Sequence, residues 1–84
     1  MKKGTVLSIH KGKKVPIQIH HNSPIEDLGY NGIKDGNYLL SLDNCDLTIS
    51  IKDRIEINRY QFEIQEASGD SITMRYTGLR KKAK

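Results

Sequence analysis

Apolar and polar residues alternate along most of this chain with a period of two. The alternation is clearest at residues 15–20, 47–51, 55–57, 60–64 and 72–76. A period of two places one face of a β-strand against a core and the other face in water. The pattern therefore predicts a chain built mainly from short strands.

Short polar segments separate the predicted strands. Lys11-Gly12-Lys13, Asp35-Gly36 and Asp43-Asn44 are typical of turns. Between residues 46 and 77 the links are about two to five residues long, with Lys52-Asp53 as a tight two-residue link. This spacing predicts a meander of hairpins, which is typical of a small barrel or sandwich.

One segment favours a helix. Ser23 is a capping residue, Pro24 suits the first helical position, and Glu26 follows Ser23 by three residues, which completes a capping box. Gly29 limits the length of the helix. We therefore expect one short helical turn near residues 24–28, with Ile25 and Leu28 facing the core.

The composition agrees with a sheet. Eleven isoleucines against two alanines favour strands over helices. The predicted fold class is all-β, a small antiparallel barrel or folded sheet of about six to seven short strands. The barrel is preferred because closure removes sheet edges. The 84 residues suit a single small β domain over residues 1–78 and a basic carboxyl-terminal tail over residues 79–84.

Composition also predicts a cytoplasmic protein. No apolar run approaches the ~18 residues of a membrane span. The amino end lacks the apolar stretch of a secretory signal. Cys45 is the single cysteine and has no partner for an internal disulfide, which favours a reducing compartment.

Charge is concentrated at the two ends of the chain. Net charge is +4, but residues 1–14 and 75–84 contain five basic residues each and no acid, while all ten acids lie between them. Because chain termini commonly lie close together, we expect the two ends to form a basic pole. The candidate anion- or partner-binding residues are Lys11, Lys13, Lys14, Arg75, Arg80, Lys81 and Lys82.

The sequence contains no recognisable catalytic or metal-binding pattern. An activated nucleophile needs a neighbouring base and a group that orients it, and no motif of this kind occurs. His20 and His21 would point to opposite faces of a strand, and Cys45 stands alone, so paired zinc ligands are missing. We therefore predict no enzyme activity, no metal and no cofactor.

Two functions fit these features. The favoured one is a non-enzymatic binding module for another protein or a second copy, because the acidic middle of the chain would repel a long polyanion. Strands 15–20, with Pro16 at an edge or bulge, and 37–42 are its candidate edges for strand pairing.

The alternative is a small nucleic-acid-binding β-barrel that contacts phosphates through the same basic residues. Tyr30 and Tyr38 are its candidate exposed aromatic contacts, whereas Tyr60, Phe62 and Tyr76 are predicted to be core. A small anionic ligand held at the basic pole of a dimer is a third reading.

Overall fold

The computed structural model describes residues 1–18 and 22–79, which form eight strands and no helix. No described helix is therefore long and apolar enough to cross a membrane. The strands are β1 (Val6–His10), β2 (Lys13–Ile17), β3 (Glu26–Lys34), β4 (Asn37–Leu42), β5 (Cys45–Ser50), β6 (Arg54–Ile57), β7 (Tyr60–Ala67) and β8 (Ser71–Leu79). Leu79 thus belongs to β8, and the rest of the predicted tail, residues 80–84, lies outside the described residues.

The strands form two four-stranded antiparallel sheets. Sheet A has the order β1-β8-β7-β6, and sheet B has the order β2-β3-β4-β5. Strands that follow each other in the chain are neighbours, except at β1–β2 and β5–β6, where the chain passes from one sheet to the other. The prediction of an all-β antiparallel fold is confirmed in its folded-sheet form. Those two interruptions keep the described strands from closing into the preferred barrel, and the strands number eight rather than six or seven.

The core fills the space between the two sheets. Its fully buried side chains include Leu28, Tyr30 and Leu40 from sheet B, and Phe62 and Met74 from sheet A. These positions follow the period of two along each strand. The predicted core positions Tyr60, Phe62 and Tyr76 are confirmed.

The helical turn predicted near residues 24–28 is wrong. Glu26 already begins β3, where it pairs with Ile17, and Ile25 is 63% exposed instead of facing the core. The capping box is a local preference. It is outweighed because β3 runs between β2 and β4, so that both of its neighbours complete its backbone hydrogen bonds and Leu28 enters the core.

Two predictions about connections and edges are also wrong. Lys52-Asp53 is no hairpin link, because β5 and β6 lie in different sheets. Residues 37–42 form β4, which pairs with both β3 and β5 and is therefore a central strand. The expectation for Pro16 is confirmed: among the described strands, β2 pairs with β3 alone, so it lies at an edge where a missing amide hydrogen is tolerated.

Candidate functional site: the open seam between β5 and β6

The two tyrosines predicted as exposed contacts are buried. Tyr30 is 0% exposed and Tyr38 is 3% exposed. The hydroxyl of Tyr30 donates to the backbone carbonyl of Ser68, and burial raises the pKa of both tyrosines above the usual value. Asn31-Gly32, a residue pair that is common in turns, instead forms a bulge inside β3, with Gly32 at φ 103°. Tyr30 therefore keeps the inward direction of its strand and offers no stacking surface.

The structure brings some of the predicted basic residues together and separates others. Lys11, Lys13 and Lys14 are all exposed around the β1–β2 turn. Arg75 lies opposite Val6, at the far end of β1 from that turn. Because a strand of five residues is about 16 Å long, the length of β1 separates the backbone of Arg75 from the turn that carries the three lysines. Arg80, Lys81 and Lys82 lie outside the described residues.

Arg75 is also engaged in an ion pair. Its guanidinium donates to Glu63 Oε1 at 3.1 Å, and Arg54 approaches the other carboxylate oxygen of Glu63 at 3.9 Å. The three side chains follow one cross-strand row over β8, β7 and β6. The outer face of sheet A therefore carries mixed charge here rather than a positive patch.

The two places where the chain changes sheet differ in how well they are covered. At the β1–β2 side, the turn closes one end. At the other end the Met1 amino group donates to the carbonyl of Gln18, and the Met1 side chain packs against the core. The outer strand on this side, β2, carries Pro16, which discourages further strand pairing.

The β5–β6 side is an open seam. Two open cavities of about 350 and 370 Å³ lie along it. Thr48 and Ile49 of β5 face Ile55 of β6 across the first, and Leu47 lines the second. Among the described residues, no strand pairs with the side of β5 that faces away from β4. We call that side the β5 edge.

Strand pairing determines which backbone groups the β5 edge displays. In an antiparallel pair, alternate residues direct both their N–H and C=O toward the partner strand. Leu42 and Cys45 flank the two-residue β4–β5 turn, and the Ile51 amide donates to the Gly36 carbonyl at 3.1 Å. Odd-numbered residues from 45 to 51 thus bond to β4. The even-numbered residues Asp46, Thr48 and Ser50 direct their N–H and C=O groups away from it.

The side chains of β5 do little to block a further strand. Leu47 and Ile49 are half-buried against the core, and Ile51 is 43% exposed just beyond the strand. Edge strands are commonly protected by proline, lysine, bulges or shortness. β5 has six residues, no proline or lysine and no register shift, whereas β6 has only four residues. At the open seam, β5 is therefore less protected than β6.

Sequence reasoning missed this edge. In the sequence, the alternation of Asp46, Thr48 and Ser50 with apolar residues indicates only the polar face of a strand in the predicted meander. The available signal was a strand without proline or lysine that continues into the apolar Ile51. The missing information was which strands pair, since a hairpin at Lys52-Asp53 would have placed another strand along this edge.

The potential metal ligands are the remaining candidates from the sequence. Within residues 1–18 and 22–79, no group of three His, Cys, Asp or Glu side chains is placed to hold a metal ion. Cys45 is a free, exposed thiol, and His20 and His21 lie outside the described residues. Comparison with known protein families, with curated proteins and with solved structures finds no match to this chain.

Proposed function

We propose that this protein is a non-enzymatic interaction module that binds protein by adding a strand to the β5 edge. The observation that carries the proposal is the row of outward-directed backbone groups at Asp46, Thr48 and Ser50. Strand addition uses such groups for affinity and alternate side chains for specificity. An exposed thiol at Cys45 is compatible with a reducing cytoplasm, where we place the protein.

Hydrogen bonds alone would make a weak complex. Each contributes about 0.5–1.5 kcal/mol net, while association costs roughly 4–15 kcal/mol in lost motion. Apolar contacts must therefore contribute as well. Leu47, Ile49 and Ile51 supply them, because each retains exposed apolar surface next to the edge.

The proposal is tested by a photo-crosslinking amino acid placed at position 48 in cells. Thr48 lies on the β5 edge, so its replacement should form adducts with a bound protein. Thr73 is the matched control, because it lies in β8 between β1 and β7. Adducts from position 48 but not 73 are expected. Their absence at 48, or equal yields at both positions, would contradict the proposal.

One observation keeps the nucleic-acid alternative open. Lys11, Lys13 and Lys14 are exposed around a single turn, and such a cluster attracts phosphates in a salt-dependent way. Burial of Tyr30 and Tyr38 removes the stacking contacts that this alternative also invoked. The interaction module remains the better supported function.

A further inference from the structure

We infer that the β5 edge binds a second copy of this chain, with the two β5 strands antiparallel about a twofold axis at Ile49. The inference rests on the proposed function and specifies the partner at the same edge. It follows from the pattern of backbone groups and side chains along residues 46–52.

Geometry allows few arrangements. Residues directly opposite each other in an antiparallel pair point to the same face of the sheet. In addition, the outward-directed groups of Asp46, Thr48 and Ser50 must meet the same set on the second copy. A twofold axis must then pass through a residue of β5 rather than between two residues. Leu47, Thr48 and Ile49 are the central candidates.

An axis at Ile49 matches every opposed pair by chemistry. Asp46 lies opposite the partner's Lys52, so that opposite charges meet. Leu47 lies opposite the partner's Ile51, and Ile49 meets its own copy. Thr48 lies opposite the partner's Ser50, which places hydroxyl against hydroxyl. Because the interface is symmetric, each mixed pair occurs twice.

The other two axes match less well. An axis at Thr48 places Asp46 opposite Ser50 of the second copy. An axis at Leu47 places Asp46 opposite Thr48, and the exposed Ile51 would then face Asp43. Neither brings Asp46 directly opposite Lys52. Charge complementarity therefore selects Ile49 among the three.

Ile51 and Lys52, which follow β5, are positioned to join the pairing of the two β5 strands. The Ile51 amide still donates to the carbonyl of Gly36, in the turn between β3 and β4, so the backbone continues in line with β5 for at least one residue past Ser50. Asp53 is bonded to sheet A, where its carbonyl accepts from the Ile64 amide at 2.7 Å. Lys52 thus lies between the two, within reach of the edge. The pairing joins two copies of sheet B into one continuous sheet and covers Ile51.

Charge reversal tests the inference on the whole chain. In a Cys45→Ser background, which prevents disulfide artefacts, light scattering over a range of concentrations should give twice the mass of one chain. Asp46→Lys or Lys52→Asp alone places like charges opposite each other and should weaken dimerisation by about tenfold or more. Combining the two should restore it. Glu66→Lys, at an exposed position of β7 in sheet A, is the control and should leave the mass unchanged.

Cysteine crosslinking tests the register. In the same background, Ile49→Cys places two thiols across the axis. The Cα separation there is about 4.5 Å, which lies in the range of disulfides. This variant should form a covalent dimer on oxidation, and Thr48→Cys should not. Crosslinking through Thr48→Cys alone would overturn the register, and failure of the double charge reversal to restore the dimer would overturn the direct pairing.

The outcome also separates this inference from the proposed function. A monomer at all concentrations, combined with foreign-protein adducts at position 48, would overturn self-association and support strand addition by another partner. A monomer with no adducts at position 48 would overturn both. The melting temperature of each variant shows whether a lost dimer reflects a lost fold.

Discussion

The space around position 29, rather than its backbone angles, requires a glycine there. It lies in β3 between Lys14 and Ser41, its register partners on β2 and β4. A Cβ atom there would come within 2.5 Å of Ser41 Oγ and 3.2 Å of Lys14 Cγ. Ser41 is only 5% exposed, so its hydroxyl has little freedom to move away. A strand position this close to its neighbour needs glycine.

Gly29→Ala should therefore destabilise the fold. We expect a loss of about 1–3 kcal/mol in the free energy of unfolding, the usual cost of overpacking. Ser41→Ala in the same chain removes the closest atom and should recover part of that loss. Denaturant unfolding of the two single variants and the double variant measures the coupling. Gly29→Ala with wild-type stability would contradict the contact.

Tyr60 should make the stability of the fold depend on pH. Its hydroxyl donates to Glu26 Oε1 at 2.7 Å. Burial first, and then this hydrogen bond, raises the pKa of Tyr60 to about 12. In the unfolded chain a tyrosine deprotonates near pH 10. The stabilising contribution of neutral Tyr60 is thus fully present below pH 10 and is lost as pH rises toward 12.

The measurement is the unfolding free energy between pH 8 and about 12. Wild type should lose stability steeply above pH 10. Tyr60→Phe should start lower, because Glu26 loses its hydrogen bond, but should decline less. Parallel curves for the two proteins would show that Tyr60 does not titrate as described.

At the scale of elements, the sequence predicts strands well where one face is buried. The alternation of Tyr60, Phe62 and Tyr76 is visible in the sequence and correct in the structure. The helix prediction for residues 24–28 is wrong because a capping box reflects only local preferences, whereas β3 is stabilised by pairing with β2 and β4. The open seam could not be predicted, since hairpins and sheet changes share the same short polar links.

Proline substitutions in β5 should have different effects at amides that point toward β4 and at amides that point away from it. The Thr48 amide points away from β4, so Thr48→Pro removes no ladder hydrogen bond and should alter stability by less than about 1 kcal/mol. The Leu47 amide points toward β4, so Leu47→Pro removes a ladder hydrogen bond as well as a half-buried side chain, and should cost about 2 kcal/mol or more. The comparison uses thermal or denaturant unfolding of monomeric samples. Equal losses for the two variants would contradict the assigned backbone directions.

At the scale of the whole molecule, the turn lysines and the β5 edge belong to opposite edges of sheet B, although Lys13, Lys14 and Asp46 line one cavity on that sheet. Lys11, Lys13 and Lys14 surround the β1–β2 turn, while β5 is at the opposite edge of sheet B from β2. Polyanion binding and protein association should therefore be separable. Polyanion binding uses the lysines, whereas association uses residues of the β5 edge.

Neutralising lysines tests this separation. Replacing Lys13, Lys14, Lys81 and Lys82 with glutamine should cause earlier elution from heparin and flatten the salt dependence of binding. It should leave the light-scattering mass and the melting temperature unchanged. A change in mass would show that these lysines contribute to association.

Amide hydrogen exchange along β5 tests the central claim most directly. In dilute protein the amides of Asp46, Thr48 and Ser50 should exchange fast, while those of Leu47 and Ile49 are protected by β4. With rising protein concentration the three fast amides should become protected, because the second copy pairs with them. The same fast exchange at every concentration would contradict self-association through β5, and protection of all five amides in dilute protein would contradict the open edge itself.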